Sequence, residues 1–110
     1  MPPEQKIIAI AKLEGWEKCQ LIYGDPMGRP PNVSDQFKHL PPYLTSRDAI
    51  CGAVARLDAL QGAEFVSHLA KVQGWIYQHE STFSDSIFSL ITATPSQLAD
   101  ALLLTLGKEI

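Results

Sequence analysis

Apolar positions recur along this chain with helical spacing in four places and with strand-like alternation in two or three. Ile7, Ile8, Ile10 and Ala11 follow Pro2-Pro3-Glu4, and Gly15 closes the stretch. Proline near the first turn and glycine just past the last predict a helix there. Trp16 then falls where a closing hydrophobic contact is expected. Glu17–Tyr23 alternates before turning apolar and reads as a short strand that Gly24-Asp25-Pro26 terminates. Ile50, Ala53, Val54, Leu57 and Leu60 share one helical face. That helix is expected from Ser46 to about Leu60, as the central helix of the domain. Its start is assigned to Thr45, with Asp48 three residues on as an approximate capping box. Gln61-Gly62 is expected to break it. Phe65, Val66, Leu69 and Val72 mark a third, shorter helix ending at Gly74.

Trp75-Ile76-Tyr77 and Ile87–Ile91 are strand candidates, the second apolar on both faces. His79–Asp85 between them is turn-like. The last helix has a clear start: Thr94 as cap, Pro95 as first residue and Gln97 completing the box. Leu98, Ala101, Leu102 and Leu106 form its core face, and Gly107 ends it. Leu103 and Leu104 widen the apolar arc beyond what one packed face needs. Contiguous exposed leucines mark an interface, so a homo-oligomer is expected.

Residues 24–42 hold four of the turn-making prolines before Pro42, together with Gly24, Gly28, Asn32 and Ser34. Such density argues against a central strand. The expectation is a long loop pinned by Phe37 that serves as a surface loop, a lid or a partner-binding arm. The chain as a whole, 110 residues that are 45% hydrophobic and 19% charged, fits one domain over 1–110. The fold class expected is α/β (α+β): a small three-layer α-β-α sandwich with a short, largely antiparallel sheet and about four helices.

A formal net charge of −3 removes general DNA or RNA binding from consideration. The longest apolar runs are far short of the roughly 20 residues a membrane span needs. Cys19 and Cys51 have no CxxC spacing, and Cys51 reads as a free thiol buried beside its helix's apolar face, with a disulfide to Cys19 as the alternative. His39, His68 and His79 are scattered, with no ligand spacing for a metal. No nucleophile elbow, phosphate loop, dinucleotide fingerprint or zinc-protease motif is present. The expectation is a protein that is not an enzyme and needs no cofactor. The chemistry that remains is anion binding. The starts at Thr45-Ser46-Arg47 and Thr94-Pro95-Ser96 each offer backbone N–H groups and a positive dipole end. Arg47 adds a forked donor, and Tyr43 is placed to cover an aromatic ring. Ordinary capping is the competing account of either start alone; the pair gains meaning if both open on one side.

Three stretches carry a resemblance: Ile8-Ala9-Ile10-Ala11 … Gly15-Trp16; Pro42-Tyr43-Leu44 … Asp48-Ala49-Ile50; and Ala93-Thr94-Pro95-Ser96-Gln97-Leu98-Ala99-Asp100-Ala101-Leu102-Leu103 … Leu106-Gly107. In that order they resemble the phage ABA sandwich domain family of bacteriophage and prophage proteins. Members carry an Asn-Ala-rich start to the middle helix and an Arg where this chain has Leu98. The resemblance implies helices on two sides of a small sheet. It also implies a phage accessory protein in the cytoplasm of the bacterial host, one that counters antiviral immunity. The expected mode is sequestration of a nucleotide second messenger, of cyclic or ADP-ribose type, without cleavage. The ligand would lie between subunits, on Tyr43, Thr45, Ser46, Arg47, Thr94 and Ser96. A protein–protein inhibitor of a host defence effector and a small hydrolase of the same signal are the alternatives.

Overall fold

The computed structural model describes residues 1–31, 36–73 and 92–110. The strand candidates at Trp75–Tyr77 and Ile87–Ile91, the turn at His79–Asp85 and the helix end at Gly74 lie outside these. The described residues form a small α+β domain of four helices and a three-stranded antiparallel sheet. In chain order they are α1 (Pro3–Leu13), β1 (Glu17–Ile22), β2 (Asp25–Arg29), β3 (Lys38–His39), α2 (Arg47–Val54), α3 (Ala59–Val72) and α4 (Pro95–Thr105).

Helix α1 begins on proline and ends as its sequence predicts. The Trp16 N–H donates to Ala11 O at 3.0 Å and the Gly15 N–H to Lys12 O at 3.1 Å. This double return satisfies two carbonyls the helix leaves open. It also turns Trp16 back onto the core, where it packs half-buried. Ile8, Ile10 and Ala11 are buried, while Ile7 packs at the core's edge.

The sheet corrects the reading of residues 24–42 as one loop. β2 lies between β1 and β3 and contains Pro26. The hairpin joining β1 to β2 has two turn residues, Tyr23 (φ 52°) and Gly24 (φ 83°), between the paired Ile22 and Asp25. Positive φ at both positions is the turn whose twist matches that of paired strands. Pro26 fits because its carbonyl faces β3, accepting the Leu40 N–H at 3.1 Å. The N–H it lacks belongs to that same side, at the sheet's end, and not to the hairpin ladder. Phe37, expected to pin the loop, is exposed; Leu40 and Tyr43 are the buried anchors of this region.

β1 carries a bulge between Glu17 and Gln20, where Lys18 takes a left-handed φ of 51°. Gly28 lies opposite the bulge. A Cβ there would stand 3.1 Å from Cys19 Sγ, 3.2 Å from the Glu17 carbonyl oxygen and 3.2 Å from Leu40 Cδ2.

The middle of the chain divides differently from expectation. Ser46, not Thr45, caps α2, its hydroxyl accepting the Ala49 N–H at 3.3 Å. α2 stops at Val54, and Asp58 starts α3 with a reciprocal box: Gln61 N–H to Asp58 Oδ1 at 2.8 Å and Asp58 N–H to Gln61 Oε1 at 3.1 Å. Gln61-Gly62 therefore belongs to a helix start and does not break one. Leu60 leaves the apolar face assigned to it and is 73% exposed. Cys51 is also exposed, and both cysteines are free.

The centre of packing is α4. Leu98, Ala99, Ala101, Leu102 and Leu103 are all buried, and the helix meets α1, α2 and α3. Leu103 is wholly enclosed by its own chain and Leu104 is half-buried. The apolar surplus that suggested a homo-oligomer is thus spent inside the domain. α1 is the helix that packs on β1 and β2. Of the two helical sides expected for the sheet, the described residues supply this one. The Thr94–Gln97 box is present as read, with Gln97 N–H to Thr94 Oγ1 at 3.2 Å and Thr94 N–H to Gln97 Oε1 at 2.9 Å.

Gly28→Ala should destabilise the domain by about 1–3 kcal/mol, because one of its three neighbours is a backbone carbonyl that cannot rotate away. Urea unfolding measures the shift; an unchanged midpoint would mean that the bulge yields freely.

Candidate functional site

The six residues nominated from the sequence fall into two groups. Thr45, Arg47, Thr94 and Ser96 are solvent-exposed and Ser46 is half-buried. Tyr43 is wholly buried in the core.

The exposed group is held by one contact. Arg47 is the first residue of α2, and its Nη1 donates to the Ala93 carbonyl at 2.6 Å. Ala93 immediately precedes Thr94, the cap of α4. The guanidinium therefore bridges the starts of the two helices, which lie 46 positions apart in sequence. A charged donor on a backbone carbonyl is among the stronger kinds of hydrogen bond. The two helix starts are thus adjacent, and Thr45, Thr94 and Ser96 near them are exposed. The N–H groups of Ala49 and Gln97 are already taken by their caps.

Tyr43 cannot serve as a stacking face. Pro41-Pro42 turns the chain inward, and the Ser46 N–H closes the turn on Pro42 O at 2.8 Å. The ring joins the core cluster that also holds Leu40 and Ile50, and its hydroxyl donates to Glu14 Oε1. Burial first, then this hydrogen bond and the carboxylate's charge, push the phenol's pKa far above its ordinary value. The signal for burial was available: two prolines before an aromatic at the mouth of a helix form a hydrophobic entry as readily as a platform.

Burial likewise raises the pKa of the half-buried Cys19 thiol, with Lys12 acting in the opposite direction. A raised pKa disfavours the reactive thiolate. His39 lies exposed on β3 and His68 half-buried on α3. Among the described residues, no group of three or more His, Cys, Asp and Glu side chains is arranged to hold a metal ion. No helix among them is long and apolar enough to cross a membrane.

One concave feature escaped the sequence reading. A groove of about 430 Å³ runs along α1 to the end of α4, with Ile8, Ala9, Leu13 and Leu106 in its lining. Its parts come from opposite ends of the chain, and neither helix alone signals it.

No family model matches the chain, and neither a curated protein nor a solved structure does. The resemblance to the phage ABA sandwich family therefore stands on its three short stretches alone.

Tyr43→Phe should cost about 1.5–3 kcal/mol near neutral pH, the worth of a hydrogen bond to a charged acceptor. The pH dependence has a definite sign. The folded phenol's pKa is raised, so the folded state keeps a proton that the unfolded chain gives up above about pH 10. Wild-type stability then falls as pH rises past that value, and the gap to Tyr43→Phe narrows. Parallel denaturation curves at pH 7 and pH 11 test this; a constant gap would contradict it.

Proposed function

We propose that this domain is a non-enzymatic phage accessory protein of the bacterial host cytoplasm that sequesters a nucleotide-derived signal. The observation supporting it is the bridging of the α2 and α4 starts by Arg47. The paired starts gain meaning if they open on a common surface; Arg47 ties one to the other, and four of the nominated residues are exposed. Two positive dipole ends and a guanidinium in one place favour phosphate oxygens. Sequestration requires affinity and no catalytic group. The ligand's base would need a different contact from Tyr43, whose ring is buried.

Incubation with cyclic dinucleotides and ADP-ribose derivatives, followed by heating and assay of what is released, tests the reading. Intact release supports sequestration, altered product means a hydrolase, and an empty protein refutes both. Arg47→Ala should weaken binding by about tenfold or more, since charge-assisted hydrogen bonds contribute roughly 1.5–3 kcal/mol each. It should also lower stability measurably, because the side chain ties α2 to the Ala93 carbonyl. Arg47→Lys separates the two effects: it keeps the charge but loses the fork.

A second reading, inhibition of a host effector by direct contact, has one observation of its own. Tyr23 is fully exposed at the hairpin tip and holds a left-handed φ of 52°. Asn suits that position better than an aromatic does. Leu21, on the same hairpin, is exposed as well. An aromatic kept in water at a conformational cost is a contact residue in this reading. Tyr23→Asn should then raise thermal stability, by about 0.5–1 kcal/mol as strain is relieved. Lower stability would show that Tyr23 serves the fold.

A further inference from the structure

The groove between α1 and the end of α4 is lined by residues of different character. Ile8, Ala9, Leu13 and Leu106 give it an apolar lining that is buried or half-buried, and Lys12 and Lys108 line it as exposed residues. None of the described residues lining it is acidic; Met1 also lines it, and its ammonium donates to Ile110 O, at the chain's last residue, at 2.8 Å. Its volume of about 430 Å³ lies within the range of small-molecule sites, roughly 300–1,000 Å³.

The lysines matter because the chain as a whole is acidic, with a formal net charge of −3. Lys6, one turn and a half before Lys12 on α1, is held by Asp100 on α4 at 2.7 Å. Neither Lys12 nor Lys108 has an ion-pair partner among the described residues. Both lie at helix C-termini, where unsatisfied carbonyls would ordinarily repel an anion. Several of those carbonyls are engaged here. At the end of α4, the Lys108 N–H donates to Leu103 O at 2.9 Å and the Gly107 N–H to Leu104 O at 3.0 Å. α1 closes in the same way through Gly15 and Trp16. The cap also fixes the backbone of Lys108 at the groove's edge. The result is an apolar trough that two exposed lysines also line.

We propose that this groove binds a soluble, medium-length aliphatic carboxylate. The hydrocarbon lies on Ile8, Ala9, Leu13 and Leu106, and the carboxylate faces Lys12 and Lys108. Charge complementarity selects the head group, and the four apolar lining residues favour a hydrocarbon chain over a sugar. The site is separate from the Arg47 surface and does not depend on the reading given above.

Decanoate below its micelle concentration is the probe, followed by calorimetry and by amide chemical shifts. Saturable binding with shifts at Gln5, Ala9, Leu13 and Leu106 supports the proposal. Lys12→Glu with Lys108→Glu should then weaken binding by about tenfold or more, because like charges would face the carboxylate. These lysines are exposed, so the variant keeps the fold. Ala9→Trp, which adds bulk to the apolar lining, should abolish binding. Arg47→Ala should leave decanoate affinity unchanged, which keeps this test independent of nucleotide sequestration. The proposal is overturned by any of four results. Decanoate fails to bind. Decyltrimethylammonium binds equally well. Light scattering finds a dimer that Ala9→Trp dissociates, which makes a second copy the occupant. The protein sediments with phosphatidylglycerol vesicles while ignoring free decanoate.

Discussion

The last helix is the constraint on which the remainder of this domain rests. A small domain has little interior to offer, and here most of it is organised around α4. Leu98, Leu102 and Leu103 are wholly or almost wholly enclosed, and Ala99 and Ala101 let neighbours come close. A helix apolar over so wide an arc must be covered on several sides. α1, α2 and α3 supply that cover. The width of the arc is visible in the sequence, and the burial of Leu103 within the chain means that the arc by itself is no argument for a partner copy. Leucines beyond one face can be buried by a second chain or by more helices of the same chain. Periodicity within α4 cannot tell these apart; only the placement of α2 and α3 does.

Two polar ties decide how the cover is oriented. Lys6 reaches Asp100 across the α1–α4 contact, and Arg47 reaches the Ala93 carbonyl across the α2–α4 contact. Each joins a residue of an early helix to the first half of α4 or its approach. Tyr43 adds a third tie by carrying its hydroxyl through the core to Glu14 at the end of α1. A neutral phenol donor on a carboxylate satisfies a polar group that burial would otherwise penalise. Such ties add less to stability than the leucines do. They fix which face of each helix meets α4, which hydrophobic contact alone leaves loosely specified.

The parts of the fold that could be read from the sequence were those encoded within a few residues. The α1 end at Gly15-Trp16 and the α4 start at Thr94-Pro95-Ser96-Gln97 are local hydrogen-bonding devices, and both stand as read. The same kind of device was present at Asp58–Gln61 and was overridden by a run of apolar residues from Ile50 to Leu60 that fits one long helix. Reading Gly62 as a breaker then hid the α3 start. The hairpin failed for a different reason. Tyr23-Gly24 has glycine at only one turn position, and Pro26 argues against a central strand unless the side its missing N–H faces is known. That side depends on register, which emerges only when β3 pairs with β2.

The candidate sites follow the same division between local and distant information. The helix starts at Ser46 and Thr94 are legible one at a time, but their adjacency depends on a bridge spanning 46 positions. Tyr43 shows the converse error. An aromatic next to a helix start has the same sequence signature whether it turns outward to stack or inward to pack. The deciding quantity is the space left between α1 and α2, and Glu14 occupies its far side as an acceptor for the hydroxyl. The groove is the extreme case, assembled from Gln5–Leu13 at one end of the chain and Leu106–Lys108 at the other. Its lysines read locally as favourable charges at helix C-termini, and that is a sufficient account of each alone. What changes their meaning is the capping of both helix ends. The Lys108 N–H is itself one of the capping donors, returning to Leu103 O at 2.9 Å, so the backbone of that lysine is held where α4 ends beside the groove.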